Sequence, residues 1–206
     1  MATGIKICGI TRPADAEKAV EAGARAIGLV FYRQSPRVVD WAVARAIVAA
    51  LPPFVASVAL FVDAQASEIA KIVDYVRPTT LQFHGAESPE DCASHGLPYL
   101  KAIRMTDDVD LLAAERRYEA AQGLLLDSYQ KDRPGGTGRV FDWSRVPRGL
   151  RKPVILAGGL NADNVQAAII AVRPYAVDVS GGVESALGVK DHGRMQLFCR
   201  RVQEVV

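Results

Sequence analysis

Histidine and cysteine are both scarce in this chain, at three residues each among 206. The cysteines, Cys8, Cys92 and Cys199, are odd in number and widely spaced, and no CxxC pair occurs. That pattern supports neither a disulfide framework nor a zinc site, and it fits a reducing compartment, expected here to be the cytoplasm. A bias in charge is missing too. The chain has 25 Lys and Arg against 23 Asp and Glu, whereas a dedicated nucleic-acid binder carries a strong basic excess. The longest apolar runs, such as Val55 to Val62, are strand-sized and far short of the roughly 18 residues of a membrane span. A strand begins within a few residues of Met1, so no signal peptide is expected there. Neither a linker nor a low-complexity stretch breaks the chain, so a single domain over residues 1–206 is expected.

What is present is a repeat. Half the residues are hydrophobic, and they fall into short strands alternating with helical patterns. Strands are expected at 5–8, 26–31, 55–62, 80–84, 99–104, 123–127, 153–157 and 176–180. Helix signals separate them. Pro13 suits a first helical turn, Asp40, Ser67 and Asn161 suit N-caps, and Ser88-Pro89-Glu90 starts another helix. A helical pattern runs from 107 to 121, a short one from 141 to 145, and a last one from 191 to 205. Regular alternation implies parallel strands joined by crossover helices. Eight such units in this length predict a closed (β/α)8 barrel, near the short end of that fold's range.

Strand residues in a barrel alternate between the interior and the helix layer. Facing the apolar set to the helices sends Ile5, Ile7, Leu81, Phe83, Leu124, Leu126, Val177 and Val179 outward. Lys6, Cys8, Gln82, His84, Leu125, Asp127, Asp178 and Ser180 then converge on the interior, several of them at the C-terminal strand ends where this fold keeps its active sites. A buried cysteine alone is more often a small core residue, but Cys8 stands at a strand end beside an inward Lys6, whose ammonium favours thiolate. Lys6 has a second reading as a buried partner of Asp178. Asp127 closes a leucine-rich strand, where an unpaired carboxylate is costly unless something uses it. His84 is either a site residue or a satisfied interior histidine. Cys92 and Cys199 fall in helices and are expected to be inert, and His95 and His192 to be surface or capping residues.

Two glycine turns, Gly158-Gly159 and Gly181-Gly182, follow strands seven and eight. Barrels often bind phosphate at that pair of turns, through backbone N–H groups and the start of a short extra helix, for which Gly182 to Ala186 is the candidate. Gly135-Gly136-Thr137-Gly138, after strand six, suits a third anion contact or a lid. Arg37, in Ser35-Pro36-Arg37 after strand two, is on the catalytic side. An arginine there could hold a carboxylate in a two-pronged contact, but taken by itself the position reads first as a solvated loop arginine.

Together these stretches resemble the phosphoribosylanthranilate isomerase family, over almost the whole chain from Lys6 to about Asp191. The matching segments are KICGIT at 6–11, SPR at 35–37, LQFHG at 81–85, LLLD at 124–127, GGTGRVFDW at 135–143, ILAGGLNADNV at 155–165, VDVSGGVE at 177–184 and GVKD at 188–191. The resemblance implies an Amadori rearrangement of N-(5-phosphoribosyl)anthranilate, in tryptophan biosynthesis, with no cofactor and no metal. It implies Asp127 as the acid, Cys8 as the base, and Arg37 as the holder of the anthranilate carboxylate. It places the phosphate on the two glycine turns, with His84, Gly136, Gly158, Gly159, Asp178, Ser180, Gly181 and Gly182 as substrate contacts. The expected partner is this small phosphosugar-anthranilate, with neither nucleic acid nor membrane, and the chain is expected to be a monomer or a homodimer. Two positions depart from the family pattern: Gly181 where a serine is more usual, and Ala162 where a proline is. Related barrels are the rivals. Indole-glycerol-phosphate synthase is expected to carry a catalytic lysine and a longer N-terminus. A histidine-pathway sugar isomerase is expected to carry aspartates at the ends of strands one and five, where this chain has Cys8 and Arg104. A binding barrel that has lost its chemistry would show damage at Cys8 or Asp127, and both are intact.

Overall fold

The computed structural model describes residues 2–128 and 140–205. Eight parallel strands close into a barrel in chain order: β1 (Gly4–Cys8), β2 (Ala26–Val30), β3 (Ala56–Phe61), β4 (Thr80–Phe83), β5 (Tyr99–Met105), β6 (Gly123–Ser128), β7 (Val154–Leu156) and β8 (Ala176–Val179). Outside them lie α1 (Pro13–Glu21), α2 (Trp41–Ala50), α3 (Ala66–Val76), α4 (Pro89–Ala93), α5 (Leu111–Arg117), α6 (Val165–Val172) and α7 (His192–Gln203). This is the (β/α)8 barrel expected from the repeat. Between β6 and β7 the helix is reduced, among the described residues, to a 3-10 turn at Trp143–Arg145. Among the described residues no helix is long and apolar enough to cross a membrane.

The period-two alternation is the physical basis of the barrel, and it holds. Ile7, Leu81, Phe83, Leu124, Leu126, Val177 and Val179 belong to the large core between strands and helices. In that layer Phe61 bridges Phe31 and Phe83, with ring centroids 5.6 and 6.2 Å apart, and Tyr99 meets Phe83 edge-on at 5.8 Å. Aromatic pairs at such separations add to area burial. The interior holds a smaller apolar floor of Ala102, Leu125, Ile155 and Ala157. Above it, Cys8, Val30 and Leu60 form a second patch. One charged residue escapes the alternation argument. Lys101 points to the helix layer, and its ammonium donates to Glu87 and to the Gly85 carbonyl, both at 2.7 Å.

Several helix boundaries shift. Asp40 caps α2 by accepting from the Ala42 and Val43 N–H groups, and Ser88 caps α4, as expected. Ser67 does not cap α3: the helix begins two residues earlier than that cap implies, at Ala66 after Gln65. Asn161 instead ties a turn ahead of α6, accepting from the Asp163 and Asn164 N–H groups. The pattern from 107 to 121 shortens to α5, because Asp110 accepts from the Leu112 and Ala113 N–H groups and sets the start there. The extra helix expected at Gly182 to Ala186 is not formed. Gly181–Val183 makes one 3-10 turn, and the chain then enters an antiparallel hairpin, β9 (Glu184–Ala186) with β10 (Val189–Lys190). The hairpin buries Glu184 and Lys190, an arrangement that continued helix from Gly182 would not supply.

Candidate active site

Cys8 and Asp127 stand at the C-terminal ends of β1 and β6, at one mouth of the barrel. Cys8 is 6 % exposed. It pairs in register with Gly28 of β2, and a Cβ at Gly28 would lie 2.6 Å from the Cys8 sulfur. Glycine is therefore required beside the thiol, a dependence invisible until the strands are paired. Burial pushes the Cys8 thiol above its ordinary value, and Asp178 adds to this, against the pull of Lys6 and Lys190. Lys6 does favour the thiolate, as its place on β1 suggested, but burial outweighs it. Lys6 also pairs with Asp178, which it meets across the β1–β8 register at 2.9 Å, with both side chains buried.

Across the mouth, His84 follows β4 and its Nε2 lies 3.0 Å from Asp127 Oδ2. The other ring nitrogen, Nδ1, is 3.3 Å from the amide nitrogen of Gln82. An amide N–H donated to Nδ1 leaves Nε2 to carry the ring proton toward Asp127. His84 and Asp127 are each about one-fifth exposed as side chains, so both reach the mouth. His84 is therefore hydrogen-bonded at the mouth beside Asp127 rather than closed into the interior.

The two glycine turns touch. Gly158 and Gly159 hold φ of 81° and 70°. A Cβ at Gly182 would drive into the Leu160 carbonyl oxygen, so the turn after β8 packs directly on the turn after β7. Ser180 leads into that turn. Gly136 lies outside the described residues.

Arg37 is not a solvated loop residue. It is 7 % exposed, and its Nε and Nη2 donate to the two carboxylate oxygens of Glu184, each at 2.7 Å. Lys190 donates to the same carboxylate at 2.8 Å. Glu184 and Lys190 were not singled out from the sequence. Both lie in stretches that carry the resemblance, but nothing local says that they meet a loop about 150 residues earlier. The remaining candidates behave blandly. Cys92 and Cys199 are buried in helices with thiols pushed up to about 11 by burial, His95 stacks on Phe83, and His192 contacts Asp15. Among the described residues no three His, Cys, Asp or Glu side chains come together to hold a metal ion.

A family model described as N-(5'phosphoribosyl)anthranilate (PRA) isomerase matches residues 5–201. The chain belongs to this family. A Pseudomonas fluorescens N-(5'-phosphoribosyl)anthranilate isomerase is 59% identical over 96% of this chain and 94% of its own length. A Nitrosococcus oceani relative of the same name is 55% identical over 100% of both. Among solved structures, the phosphoribosyl anthranilate isomerase of Thermotoga maritima superposes with a TM-score of 0.90 at 40% identity, over 97% of this chain and 98% of that one. A second such isomerase, in complex with reduced 1-(o-carboxyphenylamino)-1-deoxyribulose 5-phosphate, gives 0.86 at 38% identity, over the same shares of the two chains. Relatives this close over the whole length make this member of the PRA isomerase family an isomerase.

Proposed function

We propose that this isomerase rearranges N-(5-phosphoribosyl)anthranilate to 1-(2-carboxyphenylamino)-1-deoxyribulose 5-phosphate in tryptophan biosynthesis, with Asp127 as acid and Cys8 as base. The observation that carries the assignment is their placement. A carboxylate and a thiol end two strands at one barrel mouth, with paired glycine turns beside them. Asp127 protonates the furanose ring oxygen, and the ring opens to a Schiff base. The cationic imine makes the C2′–H bond acidic enough for a modest base, and Cys8 removes that proton. The resulting enolamine tautomerises to the ketone. His84, hydrogen-bonded to Asp127, orients the carboxyl. Placed proton transfer of this kind typically contributes about 10²–10⁴-fold.

Binding falls to the rest of the mouth. The N–H groups of the two glycine turns suit the phosphate. Asp178 Oδ1 is buried and, among the described residues, without a partner, which leaves it to accept from a sugar hydroxyl. Arg37 keeps three N–H donors beyond the two that Glu184 uses, and these suit the anthranilate carboxylate. The end of β5 carries Arg104, hydrogen-bonded to the His84 carbonyl, where a histidine-pathway isomerase is expected to carry an aspartate.

The test is turnover of phosphoribosylanthranilate generated in place and followed by the change in its anthranilate fluorescence. Loss no faster than spontaneous breakdown would sink the assignment. Arg37→Ala is expected to raise KM far more than it lowers kcat, because it removes binding more than chemistry. A large loss of kcat at unchanged KM would disprove the anchor role. Gly182→Ala must part the two turns, an overpacking that typically costs about 1–3 kcal/mol. It is expected to weaken competitive inhibition by inorganic phosphate roughly tenfold, and an unchanged inhibition constant would move the phosphate site elsewhere.

A further inference from the structure

The hairpin after β8 carries a charge arrangement that the reaction itself does not call for. Its turn is seated on the catalytic face. Thr11 Oγ1 donates to the Gly188 carbonyl at 2.6 Å, and a Cβ at Gly188 would lie 2.9 Å from the Pro36 carbonyl oxygen. From that seat β9 and β10 deliver Glu184 and Lys190 to Arg37. Lys190 is 2 % exposed, and its three ammonium donors find three acceptors: Glu184 Oε1 at 2.8 Å, the Ser180 carbonyl at 3.2 Å and Ser180 Oγ at 3.4 Å. A neutral amine would turn a lone pair toward that ring of oxygens, so the geometry favours the ammonium, although burial brings its pKa below the ordinary lysine value against the pull of Glu184.

The count of charges is then decisive. Arg37 and Lys190 are two cations on one carboxylate, so the cluster keeps one net positive charge. A buried cation pays for desolvation only when something balances it, and Glu184 balances one of the two. Arg37 alone with Glu184 would be a neutral pair with little to offer an anion. The guanidinium edge that Glu184 leaves open carries the surplus. Gly9, next to Cys8, packs on Arg37 and Ser180 so tightly that a Cβ there would lie 2.6 Å from Arg37 Cδ and 3.0 Å from Ser180 Oγ. The cluster therefore borders the base on one side and the phosphate turn on the other.

We propose that Lys190 is a specificity-determining positioning residue: by offsetting the charge of Glu184 it lets the clamped Arg37 select an arylamine that bears a carboxylate. The proposal rests on the reading of Arg37 as the carboxylate anchor. Burial works against the Glu184 carboxylate, yet Arg37 and Lys190 hold it below its ordinary value, in keeping with a carboxylate shared by two cations.

The experiment uses two probes, reduced 1-(o-carboxyphenylamino)-1-deoxyribulose 5-phosphate and the same compound without the ring carboxylate, with Kd measured by calorimetry. Lys190→Met leaves Glu184 paired with Arg37 and strands no charge. It is expected to weaken the carboxylate probe roughly tenfold and to leave the carboxylate-free probe within about twofold. Lys190→Arg is expected to restore most of the difference. Equal losses for both probes would mean that Lys190 only holds the hairpin, and no loss for either would mean that its charge is not felt; each outcome overturns the proposal. Arg37→Lys separates the two levels of inference. If it leaves the preference for the carboxylate probe intact, the anchor reading fails. If it abolishes the preference and Lys190→Met does not, the failure belongs to Lys190 alone.

Discussion

Asp127→Asn and Cys8→Ala are each expected to lower kcat by about 10²–10⁴-fold while leaving the thermal midpoint nearly unchanged. The reason is that each removes a proton carrier and little packing. Asp127 is partly exposed, and its described contact is the single hydrogen bond to His84. Cys8 is small and sits at the edge of an apolar patch with Val30 and Leu60, so trimming it removes one sulfur atom from the core. Cys8→Ser is the sharper control, because it keeps the size and replaces the thiol with a far weaker acid. A kcat within tenfold of wild type in any of the three would end the corresponding role. Burial holds the Cys8 thiol above its ordinary value. Its alkylation by iodoacetamide is therefore expected to keep accelerating with pH beyond the range of an ordinary thiol, near 8.5. Cys92 and Cys199, with thiols pushed up to about 11, contribute a small background that Cys8→Ala reveals directly.

Lys6→Met is expected to be the most destabilising single change in the barrel interior, by about 3–5 kcal/mol. Lys6 is the partner of Asp178 Oδ2 at 2.9 Å, and Asp178 Oδ1 is already buried with no partner among the described residues. Without the ammonium the buried Asp178 carboxyl would lose its cation, while burial already pushes its pKa up. Urea unfolding measures the loss. The double variant Lys6→Met/Asp178→Leu is expected to recover most of it, since replacing a buried ion pair by apolar residues of similar volume is often neutral. If the single variant is as stable as wild type, the pair is not holding the interior. The same variant tests the electrostatics at the base. Lys6 pulls the Cys8 thiol down and Asp178 pushes it up. Removing Lys6 alone should therefore move the alkylation profile to higher pH, and an unmoved profile would show that Lys6 has no influence on Cys8.

Much of this protein was legible from residues alone, because the deciding signals are local. Alternation with period two along each strand put Ile7, Phe83, Leu126 and Val179 against the helices and left Lys6, Cys8, Gln82, His84, Asp127 and Asp178 to share one interior. Eight repeats then closed the barrel, and closure gathers the strand ends at one mouth without further instruction. What remained hidden depends on separations that no local pattern carries. The room for the Cys8 sulfur comes from Gly28 on the neighbouring strand, and it becomes a requirement only once the register is set. Arg37 reads as a solvated loop residue until Glu184 and Lys190 arrive from the far end of the chain and bury it. Gly182 reads as the start of a helix until the Leu160 carbonyl stands against it. Hydrophobic periodicity is a property of neighbours in sequence, and it sorts each side chain to one face or the other. Ion pairing and close backbone approach are properties of neighbours in space. The sequence by itself determined which residues enter the mouth of the barrel, and the tertiary structure decided which of them are already bonded to one another and which are left for a substrate.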